Sequence, residues 1–395
     1  MLPKPGNYPK HPTNHRPISL LNTMGKVLEK LLLSRLKIYI MPKICPEQYG
    51  FRSEHSTTIQ LINVIDLVSN DLNIRRKTAA TFLDIQKAFD KVWHEGLIFK
   101  LLTMDVSHQL INLLRSFLLN RSFQVKIGNS LSTPRAISAG VPQGSCLSPH
   151  LFSVYINDMP KEKDANIALF ADDTVFFASG TTNNATISKV QRQIDLAIPW
   201  FKQWKISLNP SKTQAIMFSN RSTHQSNTLH FENTSVLWSN SVKYLGVTID
   251  NKFNFAKHLN SSVQKATAAK FSLFPLINKL SPLSLKTKLY IYKTYLKPII
   301  LYAAPSWTAN ISKSSWKKLE TFQSKTLRTI TGSDWYVSNH TIRSSLNILS
   351  IKDSVNLETK RTFHRIKNSN YEHISNIINR NHHKETFKKR PLNLA

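Results

Sequence analysis

In residues 24–40 the apolar positions Val27, Leu28, Leu31, Leu32, Leu36 and Tyr39 recur at helical spacing, and Pro42 ends the run, which predicts an amphipathic helix. A second helix is predicted over residues 57–72, with Ile59, Ile62, Ile65, Val68 and Leu72 on its buried face. The period then changes. Residues 78–83 are short, β-branched and apolar, and they end at Asp84, so they read as a strand leading into a helix. Residues 97–119 return to helical spacing. Residues 122–127 and 131–137 read as strands about the turn Gly128-Asn129, and 148–157 as a helix. The apolar runs 167–171 and 174–178 are separated only by Asp172-Asp173, which predicts a hairpin with two acids at its tip. A helix near 187–205, then strands near 213–218 and 242–249, complete a mixed α+β unit of about 250 residues. Beyond residue 255 the strand signals fade. Segments 257–278, 284–297, 312–330 and 353–378 are periodic as helices, so the last third reads as a separate, mainly α region. Residues 1–22, rich in Pro, Asn, His and Lys, read as an extended or loop segment and form an abrupt start, which predicts further chain upstream.

Composition narrows the partners. The chain has 395 residues, 41% of them hydrophobic, which is enough for two or three packed units and excludes a disordered tail. Lysine and arginine number 53 against 23 acidic residues, a formal charge of +30 that favours a polyanionic partner. In residues 311–330 the bases Lys313, Lys317, Lys318, Lys325 and Arg328 accompany the apolar stripe Leu319, Phe322, Leu327 and Ile330. That pattern suits a solvated helix packed on a core and a nucleic-acid-facing helix equally well. Cys45 and Cys146 are too few for a disulfide framework and too far apart for a zinc knuckle, so a reduced, intracellular protein is expected. No run approaches the roughly 18 apolar residues of a membrane span, and no signal peptide is evident.

Two segments suggest chemistry. Adjacent carboxylates inside an apolar hairpin are costly unless a cation offsets them, and Asp84, at the end of another strand, is available to complete a cluster. Three carboxylates would form a hard, oxygen-only site suited to Mg²⁺. Taken alone, Asp172-Asp173 is equally an ordinary turn. In the string Ala139-Gly140-Val141-Pro142-Gln143-Gly144-Ser145, two glycines open the main chain to close approach by a nucleotide or base pair, and Gln143 offers both a donor and an acceptor. Alone it is a turn before a helix.

Order and spacing join these pieces. Phe82-Leu83-Asp84-Ile85-Gln86-Lys87-Ala88-Phe89-Asp90, the Gly-Val-Pro-Gln-Gly loop and Phe170-Ala171-Asp172-Asp173 resemble motifs A, B and C of reverse transcriptases, most of all those of jockey-type non-LTR retrotransposons. The strings His15-Arg16-Pro17-Ile18-Ser19-Leu20-Leu21 and Gln48-Tyr49-Gly50-Phe51-Arg52-Ser53 extend the resemblance upstream. Downstream it continues through Leu208-Asn209-Pro210-Ser211-Lys212-Thr213, Lys243-Tyr244-Leu245-Gly246, Lys297-Pro298-Ile299-Ile300-Leu301-Tyr302 with Trp307, and Leu327-Arg328-Thr329-Ile330.

The resemblance implies an RNA-directed DNA polymerase with a right-hand architecture. Its partial fingers and palm would occupy residues 1–255, a helical thumb 256–310 and a basic helical extension 311–395. It implies that Asp84 and Asp172 ligate two Mg²⁺ ions, or Mn²⁺ in their place, with Asp173 in support and the carbonyl of Ile85 adding an oxygen. By the same resemblance Phe89 lies beneath the sugar, Gly140, Gln143 and Gly144 line the nascent base pair, and Arg52 meets the triphosphate. Lys212 protonates the leaving pyrophosphate, and Tyr244, Leu245 and Gly246 form a primer-gripping hairpin. Phe89 as a core aromatic and Lys212 as an ordinary solvated lysine are the plain alternatives. Expected partners are an RNA template, a DNA primer or target DNA, and dNTPs, with nuclear residence following from the family's life cycle.

Departures from the family pattern are few. Only fourteen residues precede His15, where tyrosine is common, which implies incomplete fingers, and nothing in the chain could supply the endonuclease such elements usually carry. Cys146 and His150 replace aliphatic residues. Two rivals are a catalytically impaired nucleic-acid-binding remnant and a palm-type nucleotide cyclase; the charge and the Gly-Val-Pro-Gln-Gly loop count against the cyclase.

Overall fold

A computed structural model describes residues 2–3, 15–16, 18–220, 228–380 and 387–394. Most of the expected extended segment before residue 22, and Pro17 of the His15–Leu21 string, lie outside the described residues.

Helix α1 spans Thr23–Ile40, started by the Asn22 side chain, which accepts from the Gly25 amide at 2.6 Å. Helix α2, Thr57–Asn73, is capped by Ser56 through the Ile59 amide at 3.2 Å. Strand β1 follows at Lys77–Leu83. The segment predicted as one helix over 97–119 is two, α3 (His94–Thr103) and α4 (His108–Leu118), broken where Asp105 turns left-handed at φ 54°. No glycine or proline marks that break. The predicted hairpin about Gly128-Asn129 exists, but as four short pieces, Arg121–Phe123, Lys126–Ile127, Ser130–Leu131 and Arg135–Ile137. Helix α5 is Ser148–Tyr155, then come β2 (Asn166–Phe170), β3 (Asp173–Gly180), α6 (Asn183–Gln203) and β4 (Gln214–Phe218). Strands β5 (Leu229–Phe231) and β6 (Thr234–Trp238) carry no strand signal strong enough to have been predicted.

These form a six-stranded sheet in the order β5-β6-β4-β1-β3-β2. All neighbours are antiparallel except β4 and β6. The expected strand at 242–249 is instead a hairpin of β7 (Ser241–Tyr244) and β8 (Val247–Asp250), forming a separate two-stranded sheet. Its turn residues, Leu245 and Gly246, interrupt an otherwise β-branched run.

Period two divides the sheet's side chains between two cores. Ala79, Leu83, Phe176 and Ala178 pack with α1 and α3–α6, while Ala80, Val175, Phe177, Ile216 and Phe218 pack with α2, the β7-β8 hairpin and the helices beyond residue 255. The mainly α last third is therefore not set apart from the sheet: it shares a core with one sheet face. It comprises helix α7 (Ala256–Ser272) and a succession that includes Leu285–Ile291, a π-helical turn at Tyr292–Leu296, Lys297–Leu301, Lys313–Thr331, Ile351–Lys367 and Glu372–Asn379. On Lys313–Thr331 the packed side is as expected, with Leu319, Phe322, Leu327 and Ile330 buried and Lys313, Lys317, Lys318 and Lys325 exposed.

Helix α1 is covered along only part of its apolar stripe. Leu32, Leu36 and Ile40 are buried, but Met24, Val27, Leu28 and Leu31 face solvent together with Leu20, which is 92% exposed. Cys45 and Cys146 are both free. Among the described residues no helix is long and apolar enough to cross a membrane.

The chain's end returns to α2. Asp66, 2% exposed, is paired with Arg390 at 3.0 Å and Arg380 at 3.5 Å, and Asn73 receives the amides of Phe387 and Lys388. A buried carboxylate that loses a cationic partner is strongly destabilising. Arg390→Met should lower the unfolding free energy by about 2 kcal/mol in chemical denaturation. Exposed Arg365→Met, 68% accessible and bound only loosely to Glu358, should change it by less than about 0.5 kcal/mol.

Candidate active site

The register of β1 against β3 sets the site. Leu83 pairs with Thr174, so the next residues outward, Asp84 and Asp173, stand side by side at the end of the ladder. Both continue the face that carries Phe82 and Val175. The predicted hairpin tip moves by one residue. Phe170 pairs with Asp173, so Ala171 and Asp172 form the turn and Asp173 begins the strand. Ala171 accepts the left-handed conformation, φ 55°, that the turn requires.

A cleft of 140 Å³ is lined by Asp84, Asp173, Lys212, Lys243 and Tyr244, together with Phe82 and Val242. Lys212 is brought there by a loop laced to the end of β1. The Asn209 amide donates to the Asp84 carbonyl at 2.8 Å, and the Lys212 amide to Asn209 O at 3.2 Å. The Asp84 amide donates to Thr213 Oγ1 at 3.3 Å. Ile85 lies buried beside the same loop, bridged to Leu208. Asp173 opens onto the cleft yet is walled by protein. That burial, then the Asp172 carboxylate, then Asp84, push its carboxyl up to about 6. Among the described residues no group of three His, Cys, Asp or Glu closes into a ready-made metal cluster, so the three aspartates meet through their fields rather than as a finished cage.

A second group forms along the segment after Asp84. Phe89 stacks on Phe152 at 5.0 Å, and its carbonyl accepts from the Val141 amide at 2.7 Å. Gln143 Nε2 donates to Asp90 Oδ1 at 2.7 Å. Gly140 has φ 87°, and a Cβ there would lie 2.6 Å from the Asp90 carbonyl oxygen, so the loop can lie against the Phe89 segment only with glycine at that position. Gly144 abuts Ser19, whose amide donates to Gln143 O at 2.7 Å.

The β7-β8 hairpin forms the far wall of the cleft. Tyr244 is buried, its ring edge-on to Phe82 at 5.3 Å, and burial raises its hydroxyl far above the ordinary phenol range. Leu245 and Gly246 make the tip. The Tyr302 hydroxyl donates to the Leu245 carbonyl at 3.1 Å and is hydrogen-bonded to Thr57 Oγ1 at 3.0 Å. Gly246 has φ 84°, and a Cβ on it would lie 2.8 Å from the Tyr302 ring.

Arg52 does not line the cleft. It is buried, donates to the carbonyls of Cys45 at 2.9 Å and Gln48 at 3.1 Å, and lies over the Tyr371 ring at 4.9 Å. Residues absent from the expected site set but present around it are Lys243, Asn209, Thr213, Gln48 and Tyr302. Each falls inside a string already quoted for the resemblance. What was missing was the fold that brings those strings together.

Because the folded Asp173 carboxyl holds its proton to higher pH than an unfolded one, its favourable contribution is complete below about pH 4 and is lost as the pH rises through about 6. Without divalent metal, Asp173→Asn should therefore gain in melting temperature relative to the parent between pH 4 and 7, by up to about 2 °C. Paired thermal melts across that range in chelator check this; an unchanged difference would contradict the burial and crowding of this carboxyl.

The sequence profile of the family described as reverse transcriptase (RNA-dependent DNA polymerase) matches residues 2–249. The RNA-directed DNA polymerase from mobile element jockey of Drosophila melanogaster is 34% identical over 366 residues, covering 90% of this chain and 40% of that protein. The probable RNA-directed DNA polymerase from transposon X-element of the same fly is 33% identical, covering 93% and 41%. The chain thus spans about two fifths of the length of these relatives. Among solved structures, apo telomerase from Candida tropicalis aligns with TM-score 0.42 and 12% identity over 89% of this chain and 61% of that one. With the family profile covering residues 2–249 and the jockey-type relatives extending over most of the remainder, the chain belongs to the reverse transcriptases of non-LTR retrotransposons and has their right-hand polymerase fold.

Proposed function

We propose that this chain extends a nucleic-acid primer with dNTPs on an RNA template. The observation that carries the reading is the juxtaposition of Asp84 and Asp173 in one cleft with Lys212, with Asp172 next to them on the turn. Reverse transcriptases as a family depend on divalent metal. The donor set here suits such ions, being hard oxygen only, with burial and then the neighbouring carboxylates of Asp172 and Asp84 holding a proton on Asp173 above the ordinary carboxylate range. Asp84 and Asp172 would hold two Mg²⁺ ions, or Mn²⁺, with Asp173 and the Ile85 carbonyl in support. When bound, such ions neutralise the acids and polarise the attacking hydroxyl and the phosphate oxygens.

In the reaction the primer 3′-oxygen bonds to the α-phosphorus as its proton passes to solvent water, the bond to pyrophosphate breaks, and Lys212 gives a proton to the leaving group, to be reprotonated from solvent. Phe89, fixed by Phe152, lies under the sugar and excludes a 2′-hydroxyl, while Gly140, Gln143 and Gly144 present backbone and amide to the new base pair. Tyr244, Leu245 and Gly246, pinned by Tyr302, seat the primer end. The exposed lysines of Lys313–Thr331 hold backbone phosphates in a salt-dependent way. Arg52 could meet the triphosphate only by exchanging its carbonyl partners, so its first task is to hold its own loop.

The partners are then an RNA template, a DNA primer or target DNA, and dNTPs, and nuclear residence belongs to the same proposal. The run Lys388-Lys389-Arg390 is no support for it, because Arg390 is held on Asp66.

Purified protein on a primed homopolymer RNA should extend the primer, and Asp84→Asn or Asp172→Asn should lower the rate at least about a hundredfold while leaving primer–template affinity within about threefold. Wild-type rates in either variant would sink the mechanism. Binding without extension in the parent would point to a remnant that only holds nucleic acid. Phe89→Val should raise ribonucleotide incorporation at least about tenfold relative to dNTP use, read as a ratio of kcat/KM values.

A further inference from the structure

The loop that carries Arg52 lies between the catalytic turn and the end of the chain. On one side it braces the turn directly. Tyr49 N donates to Leu169 O at 2.9 Å, and Leu169 N to Glu47 O at 3.0 Å. Gln48 Oε1 accepts from Gly50 N at 2.7 Å and from Ala171 N at 3.0 Å, one residue before Asp172. The approach is so close that a Cβ on Gly50 would lie 2.3 Å from the Ala171 nitrogen. Because Ala171 sits at φ 55°, its amide points away from the β2-β3 ladder and takes its partner from this loop.

On the other side, the same loop is gripped by the segment that joins the last two long helices. The Glu54 carboxylate accepts from Ser369 Oγ at 2.7 Å, from Asn370 N at 3.0 Å and from Asn370 Nδ2 at 2.8 Å. Nε2 of His55 meets Nε2 of His373 at 2.9 Å, and burial holds both imidazoles below their ordinary pKa, so the contact is a neutral hydrogen bond near pH 7. The Tyr371 ring lies under the Arg52 guanidinium, whose other face of contacts is the Cys45 and Gln48 carbonyls. Beneath these, Tyr49, Ile59, Ile62, Phe363, Ile366 and Ile374 share an apolar cluster against which Phe170 of the catalytic hairpin packs. The matched family profile ends at residue 249, far before this segment.

We propose that residues 369–373 are a positioning element of the active site, with Tyr371 fixing Arg52 and, through Gln48, the turn that presents Asp172. Resting as it does on the polymerase reading, this adds a part of the chain that touches neither metal nor substrate. A loop with fewer fixed neighbours would let the turn that carries Asp172 shift relative to Asp84, and small displacements of reacting groups are costly in rate.

Four proteins of this whole chain test it, namely the parent, Tyr371→Ala, Tyr371→Phe and, as a milder variant on the exposed side of the grip, Glu54→Gln. Primer extension under saturating dNTP, primer–template affinity, thermal melting and hydrogen exchange of the peptide containing residues 166–173 are measured on each. Tyr371→Ala should lower kcat about tenfold with primer–template Kd changed less than about twofold, and should speed exchange at the turn at least about tenfold. Tyr371→Phe, which keeps the ring under Arg52, should restore both to within about twofold of the parent. Glu54→Gln should move both in the same direction by about threefold.

The proposal is overturned if Tyr371→Ala keeps parental exchange at the turn, or if kcat falls in step with melting temperature while Tyr371→Phe gives no rescue. If Tyr371→Ala does not fold, Glu54→Gln decides alone, and unchanged exchange and kcat in it would count against the idea. A parent protein that fails to extend any primer would refute the polymerase reading; the exchange measurement would still decide whether the segment holds the turn.

Discussion

The pairing register between β1 and β3 is the constraint on which the cleft depends. Seven consecutive pairs, from Lys77 with Gly180 to Leu83 with Thr174, bring two acids that are nearly ninety residues apart in sequence to the same edge. A slip of one residue would send Asp84 to the opposite face, toward the core of α3–α6. Burial on both sides of the sheet opposes such a slip, because it would expose or clash every alternate side chain at once. The same ladder places β4 on the other side of β1, and the loop leading into β4 delivers Lys212. Electrostatic cost is thereby concentrated at a point where apolar packing elsewhere in the sheet can sustain it.

The second organising feature is the way the helical third is shared out. Its apolar faces complete the core under β1, β3 and β4, and its polar segments return to α2 and to the loop before it. Asp66 is the clearest sign. A carboxylate in the middle of α2 is costly to bury, and two arginines arrive from the end of the chain to pair with it. The sheet and the helical third are therefore packed into shared cores, and a carboxylate buried in α2 is paired with arginines from the chain's last residues.

Much of this was legible from sequence. Strand β1, the β2-β3 hairpin and helices α2 and α6 have periods and lengths that only one local structure satisfies, and the ordered strings around them identify the cleft. The hairpin tip was misread by one residue because Asp-Asp is a strong turn signal, whereas the structure gives the left-handed position to Ala171, held by Gln48 from a distant loop. The break at Asp105 was missed for a similar reason, since no glycine or proline marks it. Strands β5 and β6 are a short pair at the sheet's edge, where β propensity is weakly written. On α1 the apolar pattern was read correctly as a helix, but which of its apolar residues are covered was not legible, because periodicity reports which residues align and not what they touch. For Arg52, the side-chain type suggested an anion, but its partners are carbonyls and an aromatic ring contributed by residues over three hundred positions away.

Two unequal conditions bear on position 246 at the tip of the β7-β8 hairpin, one of them set by Tyr302. Its ring leaves no room for a side chain at position 246, while the backbone there independently asks for glycine. In lineages of this sequence, loss of the ring at 302 would lift the steric condition and leave the conformational one, so glycine should outlast tyrosine. Drift at 302 would first be felt as a loosened hydrogen bond to Leu245, and the two positions should vary asymmetrically rather than as a reciprocal pair.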